Sequence, residues 1–133
     1  MASAGAEGLR ERTKCFALRV VKLYQSLPQS REARVLGNQL LRAGTAVAAN
    51  YRSACRARSR AEFIAKLGIV VEEADETLFW CELLVESGIV GEVTMNGFMI
   101  EARELLAIFA ASQRTAKSRN KQLKSPDHQI AKS

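Results

Sequence analysis

The stretch Phe63-Ile64-Ala65-Lys66-Leu67-Gly68-Ile69-Val70-Val71-Glu72-Glu73-Ala74-Asp75-Glu76-Thr77-Leu78-Phe79-Trp80-Cys81-Glu82-Leu83-Leu84-Val85 decides the fold. Phe63, Leu67, Val70, Ala74, Thr77, Cys81 and Leu84 recur every three or four positions. That is the period at which α-helical side chains return to one face. Ile64, Val71, Leu78 and Val85 recur every seventh position and form a second stripe beside the first. One stripe suffices for a helix that faces its own bundle. Two adjoining stripes predict contact on both sides, so that Ile64, Val71, Leu78 and Val85 meet another subunit. The alternative is one wide core-facing stripe within a single protomer. Ser59-Arg60-Ala61-Glu62 sets the start of this helix as a capping box, serine and glutamate satisfying each other's end N–H groups. Gly88 supplies the stop.

Working outward, Leu9, Thr13, Phe16, Val20, Leu23 and Leu27 make an earlier amphipathic seam that Pro28 ends. Ser30 then caps a helix carrying Leu36, Leu40, Ala43, Val47 and Ala54 inward. Gly37, Gly44 and Ala48 lie on that helix at spacings of seven and four, which predicts the close approach of a neighbour. Cys55-Arg56-Ala57-Arg58 reads as a short connection. A last helix starts near Val93, with Met95, Met99, Ala102, Leu106 and Phe109 inward. The only prolines are Pro28 and Pro126, so the interval between them is free of that helix breaker. The sequence therefore predicts an all-α protein. Residues 9–112 form an antiparallel up-and-down four-helix bundle, between a flexible N-terminus (1–8) and a basic disordered C-terminal tail (113–133).

The formal charge of +6 is unevenly spread. Residues 31–66 hold eight bases against Glu32 and Glu62, whereas 67–113 hold nine acids against Arg103 alone. Such a division favours complementary packing between elements or subunits, and leaves the basic tail for an anion. No run of apolar residues reaches the length of a membrane span, and Met1–Gly8 carries no base, so neither a membrane segment nor a secretory signal is expected. Cys15, Cys55 and Cys81 are far apart and odd in number. They predict reduced thiols in a cytoplasmic protein, with Cys15 and Cys81 as small core residues.

The chemistry of an enzyme is missing. The single histidine, His128, has no partner at ligand spacing, no Glu-x-x-His pair suits a di-metal bundle, and no phosphate loop occurs. No catalytic residue, metal or cofactor is expected. Three other groups stand out. Arg52, Arg56, Arg58 and Arg60, with Lys66, cluster near the second connection. They either complement a helix dipole or form a patch for the phosphates of RNA or DNA. Glu72, Glu73, Asp75 and Glu76 read as a solvated face, or as partners of Arg42 or Arg52. Phe79 and Trp80 are helix neighbours and cannot both face one core, which makes Trp80 a candidate interface residue.

Further motifs carry a resemblance. Leu27-Pro28, then Asn38-Gln39-Leu40-Leu41-Arg42-Ala43-Gly44-Thr45-Ala46-Val47-Ala48-Ala49-Asn50, then Ser59-Arg60-Ala61-Glu62-Phe63-Ile64-Ala65-Lys66-Leu67 with the acidic stretch to Leu78, resemble the bacterial four-helix bundle proteins related to the 23S rRNA intervening-sequence protein. The likeness covers about residues 9–112. It implies an antiparallel bundle that assembles into a homopentamer. Related accessory proteins of diversity-generating retroelements are pentamers that bind nucleic acid and a reverse transcriptase. Where family members continue I-A-E-G after the asparagine, this chain has Tyr51-Arg52-Ser53-Ala54. The functional expectation is a non-enzymatic oligomeric scaffold or interaction protein, with a nucleic-acid-binding accessory protein as the alternative.

Overall fold

Short connections turn each helix back along its predecessor. The computed structural model describes residues 4–124, comprising α1 (Ala4–Ser26), α2 (Arg31–Cys55), α3 (Arg60–Glu86) and α4 (Glu92–Lys124). Each helix packs on the next in an antiparallel bundle, and α4 closes the circle against α1. The N-termini of α1 and α3 and the C-terminus of α4 share one end with the α2–α3 connection.

The helix ends follow from single residues. Ser30 Oγ accepts from the Ala33 N–H at 3.2 Å, and Ser59 Oγ from the Glu62 N–H at 3.0 Å. The reciprocal half of the expected capping box is displaced by one residue: Glu62 Oε2 accepts from the Arg58 N–H at 3.4 Å. Gly88, at φ 79°, ends α3. The Ile89 N–H reaches the Leu84 carbonyl and the Gly88 N–H the Val85 carbonyl, both at 3.0 Å, which satisfies carbonyls the last turn leaves free.

Gly37 and Gly44 bring α1 onto α2. A Cβ at Gly44 would lie 2.5 Å from Val20 Cγ2, and one at Gly37 2.6 Å from Leu27 Cδ1. The approach expected of these glycines is real, and its partner is α1. Across the bundle, Phe16, Val20, Leu40, Leu67, Leu84 and Phe109 are almost fully buried. The buried hydroxyls are satisfied locally: Thr13 donates to the Leu9 carbonyl at 2.9 Å and Thr77 to the Glu73 carbonyl at 2.7 Å. The backbones of α1 and α4 stay further apart than the other neighbours. Side chains bridge the gap. Arg12 makes a two-pronged contact with Glu101 (2.8 and 2.6 Å) and reaches Glu104 at 2.9 Å. Phe16 stacks on Phe98 at 4.5 Å between centroids.

Four expectations are corrected. Residues 4–8 belong to α1 rather than to a flexible terminus. Residues 113–124, expected as tail, continue α4, because the sequence between Gly97 and Pro126 has no helix breaker and is rich in Arg, Lys, Gln and Ala. The apolar period fades there for want of a neighbour to pack on. Residues 125–133, with Pro126, His128 and the rest of that tail, lie outside the described residues. In α4, Phe98 and Leu105 are buried while Leu106 is half-buried, since Phe98 and Leu105 complete the spacing from Met95 through Ala102 to Phe109. Cys15 is exposed rather than a core residue, because it lies off the Thr13–Phe16 seam.

Candidate interaction surfaces

The basic cluster gathers at one end of the bundle. Arg52 occupies the last turn of α2, Arg56 follows it as the C-cap, and Arg58 and Arg60 span the connection into α3; all four are exposed. Arg58 also stands 4.0 Å from Glu62. Because α1 runs antiparallel to α2, its first turns come level with the last turns of α2. Arg10 and Lys14 therefore join Arg52 and Arg56 around a groove of about 690 Å³ floored by Thr45, Ala48 and Ala49. Glu7 and Glu11 also line it, and Glu7 lies 3.8 Å from Arg10. Lys66 is half-buried, further along α3, and does not line this groove. Arg10 and Lys14 escaped the sequence reading. Only the pairing of α1 with α2 brings them to Arg52.

The expected subunit stripe on α3 is largely covered by its own protomer. Leu78 is only 8% exposed, so it offers no surface to a partner. Val71 and Val85 are half-buried against the same core, and Ile64 is half-buried at its edge. These residues flank the wide core-facing stripe that was the alternative reading. The apolar surface lies instead about a quarter-turn or more around the helix. Ile69 and Phe79 are 41% and 49% exposed. With Glu72 and Glu76 they follow a 3-4-3 spacing that makes one outward stripe. Trp80, half-buried, meets the Phe79 ring edge-on at 4.9 Å between centroids. Counting the period left Glu72 and Glu76 as a solvated face or as partners of Arg42 or Arg52, and passed over Ile69.

The acidic stretch makes no ion pair: among the described residues none of Glu72, Glu73, Asp75 and Glu76 has a base within 4.0 Å, Arg42 and Arg52 included. Glu73 titrates above the ordinary carboxylate range, chiefly through burial and then through repulsion by Glu76, with Arg42 acting weakly the other way.

At the opposite end, α3 and α4 enclose a second groove of about 810 Å³. Glu82, Val85 and Glu86 line it from α3, and Glu92, Val93, Asn96, Met99 and Arg103 from α4. Val93 is 93% exposed. The sequence reading did not single out this site, whose parts lie on both sides of the α3–α4 turn.

Burial withdraws Cys81 and Tyr51 from solvent, whereas Cys15 is exposed. Burial pushes the Cys81 thiol up to about 12, and the Tyr51 phenol is raised by burial and then by its hydrogen bond with Cys55. All three cysteines are free. Among the described residues, no three His, Cys, Asp or Glu side chains are grouped to hold a metal ion, and no helix is long and apolar enough to cross a membrane.

Comparison with known proteins agrees with the bundle. The family model described as 23S rRNA-intervening sequence protein matches residues 9–111. A solved structure from Bacteroides thetaiotaomicron VPI-5482, a protein with unknown function from the S23 ribosomal protein family, is 32% identical, with a TM-score of 0.77. The match covers 82% of this chain and 97% of that one. Curated proteins give no match.

Proposed function

The chain belongs to the 23S rRNA-intervening sequence protein family, and on that footing we propose that it works as a non-enzymatic, self-associating scaffold in the cytoplasm. The observation that carries this reading is the outward stripe of α3, where Ile69 and Phe79 meet solvent beside the half-buried Trp80. Large apolar side chains grouped on one face favour burial against a partner, and aromatic anchors dominate such contacts. A second copy is the partner proposed, and the family resemblance supports a homopentamer as the assembly. Sedimentation velocity at micromolar concentration tests it. The wild type sediments well above the 14.6 kDa of one chain, and Phe79→Glu with Ile69→Glu lowers the mass towards that value without loss of helix. A wild type that remains a single chain rejects the proposal.

A second reading rests on the basic end. Arg10, Lys14, Arg52 and Arg56 around one groove, with Arg58 and Arg60 beside it, support binding to the phosphate backbone of RNA or DNA. No aromatic ring is exposed among them for base stacking, so such binding is salt-sensitive and weakly sequence-selective. This would suit an accessory protein like those that work with a reverse transcriptase. Arg56→Glu with Arg58→Glu then weakens binding without dissociating the assembly. Absence of any electrophoretic shift at low salt, with RNA and with DNA, removes this reading.

A further inference from the structure

We propose that the acidic groove at the α3–α4 turn receives the basic end of α4 from a second copy of this chain, joining copies head to tail. The inference rests on the self-association reading and uses the groove between α3 and α4, whose Glu82 and Glu86 follow Phe79 one and two turns further along α3.

The groove carries charge without internal compensation. Glu82, Glu86 and Glu92 face only Arg103 there, and among the described residues none of these four side chains makes an ion pair. Glu82 and Glu86 also stand near the C-terminus of α3, the negative end of its dipole, with no base in the last turn. Carboxylates in that position are repelled by the helix that holds them. Val93 adds an apolar side chain left almost wholly in water. A cationic helix with an aliphatic flank relieves all three conditions.

The same chain carries such a helix. Residues 113–124 hold bases and no acid. Arg114, Lys117 and Lys121 are exposed and lie on one face at 3-4 spacing, and none makes an ion pair among the described residues. Gln113 donates to the Ile64 carbonyl at 3.5 Å, which sets the register of α4 on α3. From about Lys117 onward α4 has therefore passed the start of α3 at Arg60 and stands clear of it. Lys117 and Lys121 are separated by one helical turn, as are Glu82 and Glu86, about 6 Å along each helix.

The contact must be between molecules. Glu92 and Lys117 lie towards opposite ends of α4, about 37 Å apart along its axis, so no copy reaches its own groove. A head-to-tail contact of this kind repeats from copy to copy, closing into a ring or extending as a filament according to its angle.

Charge exchange on the full-length chain tests the proposal by sedimentation velocity, with far-UV circular dichroism confirming that these exposed positions leave the fold intact. Glu82→Lys with Glu86→Lys weakens association by about tenfold or more, and Lys117→Glu with Lys121→Glu does the same. The variant with all four changes, and an equimolar mixture of the two double variants, each regain association. For the wild type, raising salt from about 0.05 to 0.5 M weakens association in parallel. Unchanged association in either double variant, no recovery in the fourfold variant, or salt independence overturns the inference. Should Phe79→Glu dissociate the wild-type assembly while the charge exchanges do nothing, only the head-to-tail contact falls. A wild type that is a single chain at every concentration overturns both.

Discussion

Gly44→Ala should destabilise the protein although it improves helix propensity. In an open helix the change is worth about 1 kcal/mol in favour of alanine. Here the new methyl would sit 2.5, 3.0 and 3.2 Å from Cγ2, Cγ1 and Cβ of Val20. All three atoms belong to one β-branched side chain at 0% exposure, which has no free rotamer to move into. Relief requires α1 to shift on α2, an overpacking cost of about 1–3 kcal/mol with the upper part of that range applying. The net loss is then about 1–2 kcal/mol, or roughly 3–10 °C in Tm. Two controls fix the sign. At Gly37 the closest atom is the Leu27 Cδ1 tip at 2.6 Å, which can swing away, with the Tyr24 ring at 3.3 Å needing only a small shift, so Gly37→Ala costs less than Gly44→Ala. At Gly8 nothing lies within 4 Å, so Gly8→Ala stabilises by up to about 1 kcal/mol. Val20→Ala in the Gly44→Ala background should recover stability relative to the sum of the single changes. Urea unfolding followed by circular dichroism, at one protein concentration, measures the series. A Gly44→Ala protein as stable as the wild type would refute close α1–α2 contact as the reason for this glycine.

The Arg12 bridge predicts an acid limb. Glu101 is held below the ordinary carboxylate range, first by its hydrogen bond from Arg12. Its stabilising contribution is therefore present above about pH 4.5 and lost as pH falls through the lower folded value; Arg12→Leu should flatten this part of the pH–stability curve. A limb of the same slope in the variant would assign it to other carboxylates. Leu78→Ala should cost about 2–4 kcal/mol in unfolding experiments, whereas Phe79→Ala in dilute solution changes stability by about 0.5 kcal/mol or less. Equal losses would contradict the inward and outward placing of these neighbours. A thiol reagent at mildly alkaline pH should modify Cys15 rapidly and Cys81 only on unfolding, because Cys81 is buried and its thiol is pushed up to about 12. Rapid modification of Cys81 in the native protein would reveal opening of the core.

The helices were legible because their ends are written in single residues. Ser30, Ser59 and Gly88 each stand where the chain turns, and Pro28 lies in the first turn region. The seams of α1 and α3 were legible for a related reason: each lies near the centre of a buried face, where period and burial agree. Burial at the edges of a face was not legible. Leu78 and Val71 share a seven-residue repeat, yet one is buried and the other half-buried. Period alone gives the angle of a side chain around its axis, and says nothing of how far a neighbour extends over it. The same limitation misled the reading of residues 113–124. Apolar period reports packing, whereas continuation of a helix needs only residues with good propensity and no breaker.

The candidate surfaces were harder to read because antiparallel pairing assembles them from distant segments. Arg52 and Arg56 could be found by counting bases, but Arg10 and Lys14 enter the same groove through the register in which Gly44 faces Val20 and Gly37 faces Leu27. Glu82 and Glu86 meet Glu92 through the turn at Gly88. Antiparallel order thus gathers a cluster of bases at one end of the bundle and an acidic groove at the other. The α2–α3 connection and the last turns of α4 are basic and the α3–α4 turn is acidic, while the start of α2 beside that turn carries Arg31 and Arg34 against Glu32. An acidic groove and a basic helix end on one body attract each other between copies, and such a contact brings together charges that stand about 37 Å apart along α4 within one chain. The short connections that make the bundle are also what hold that groove and that helix end far apart in one copy.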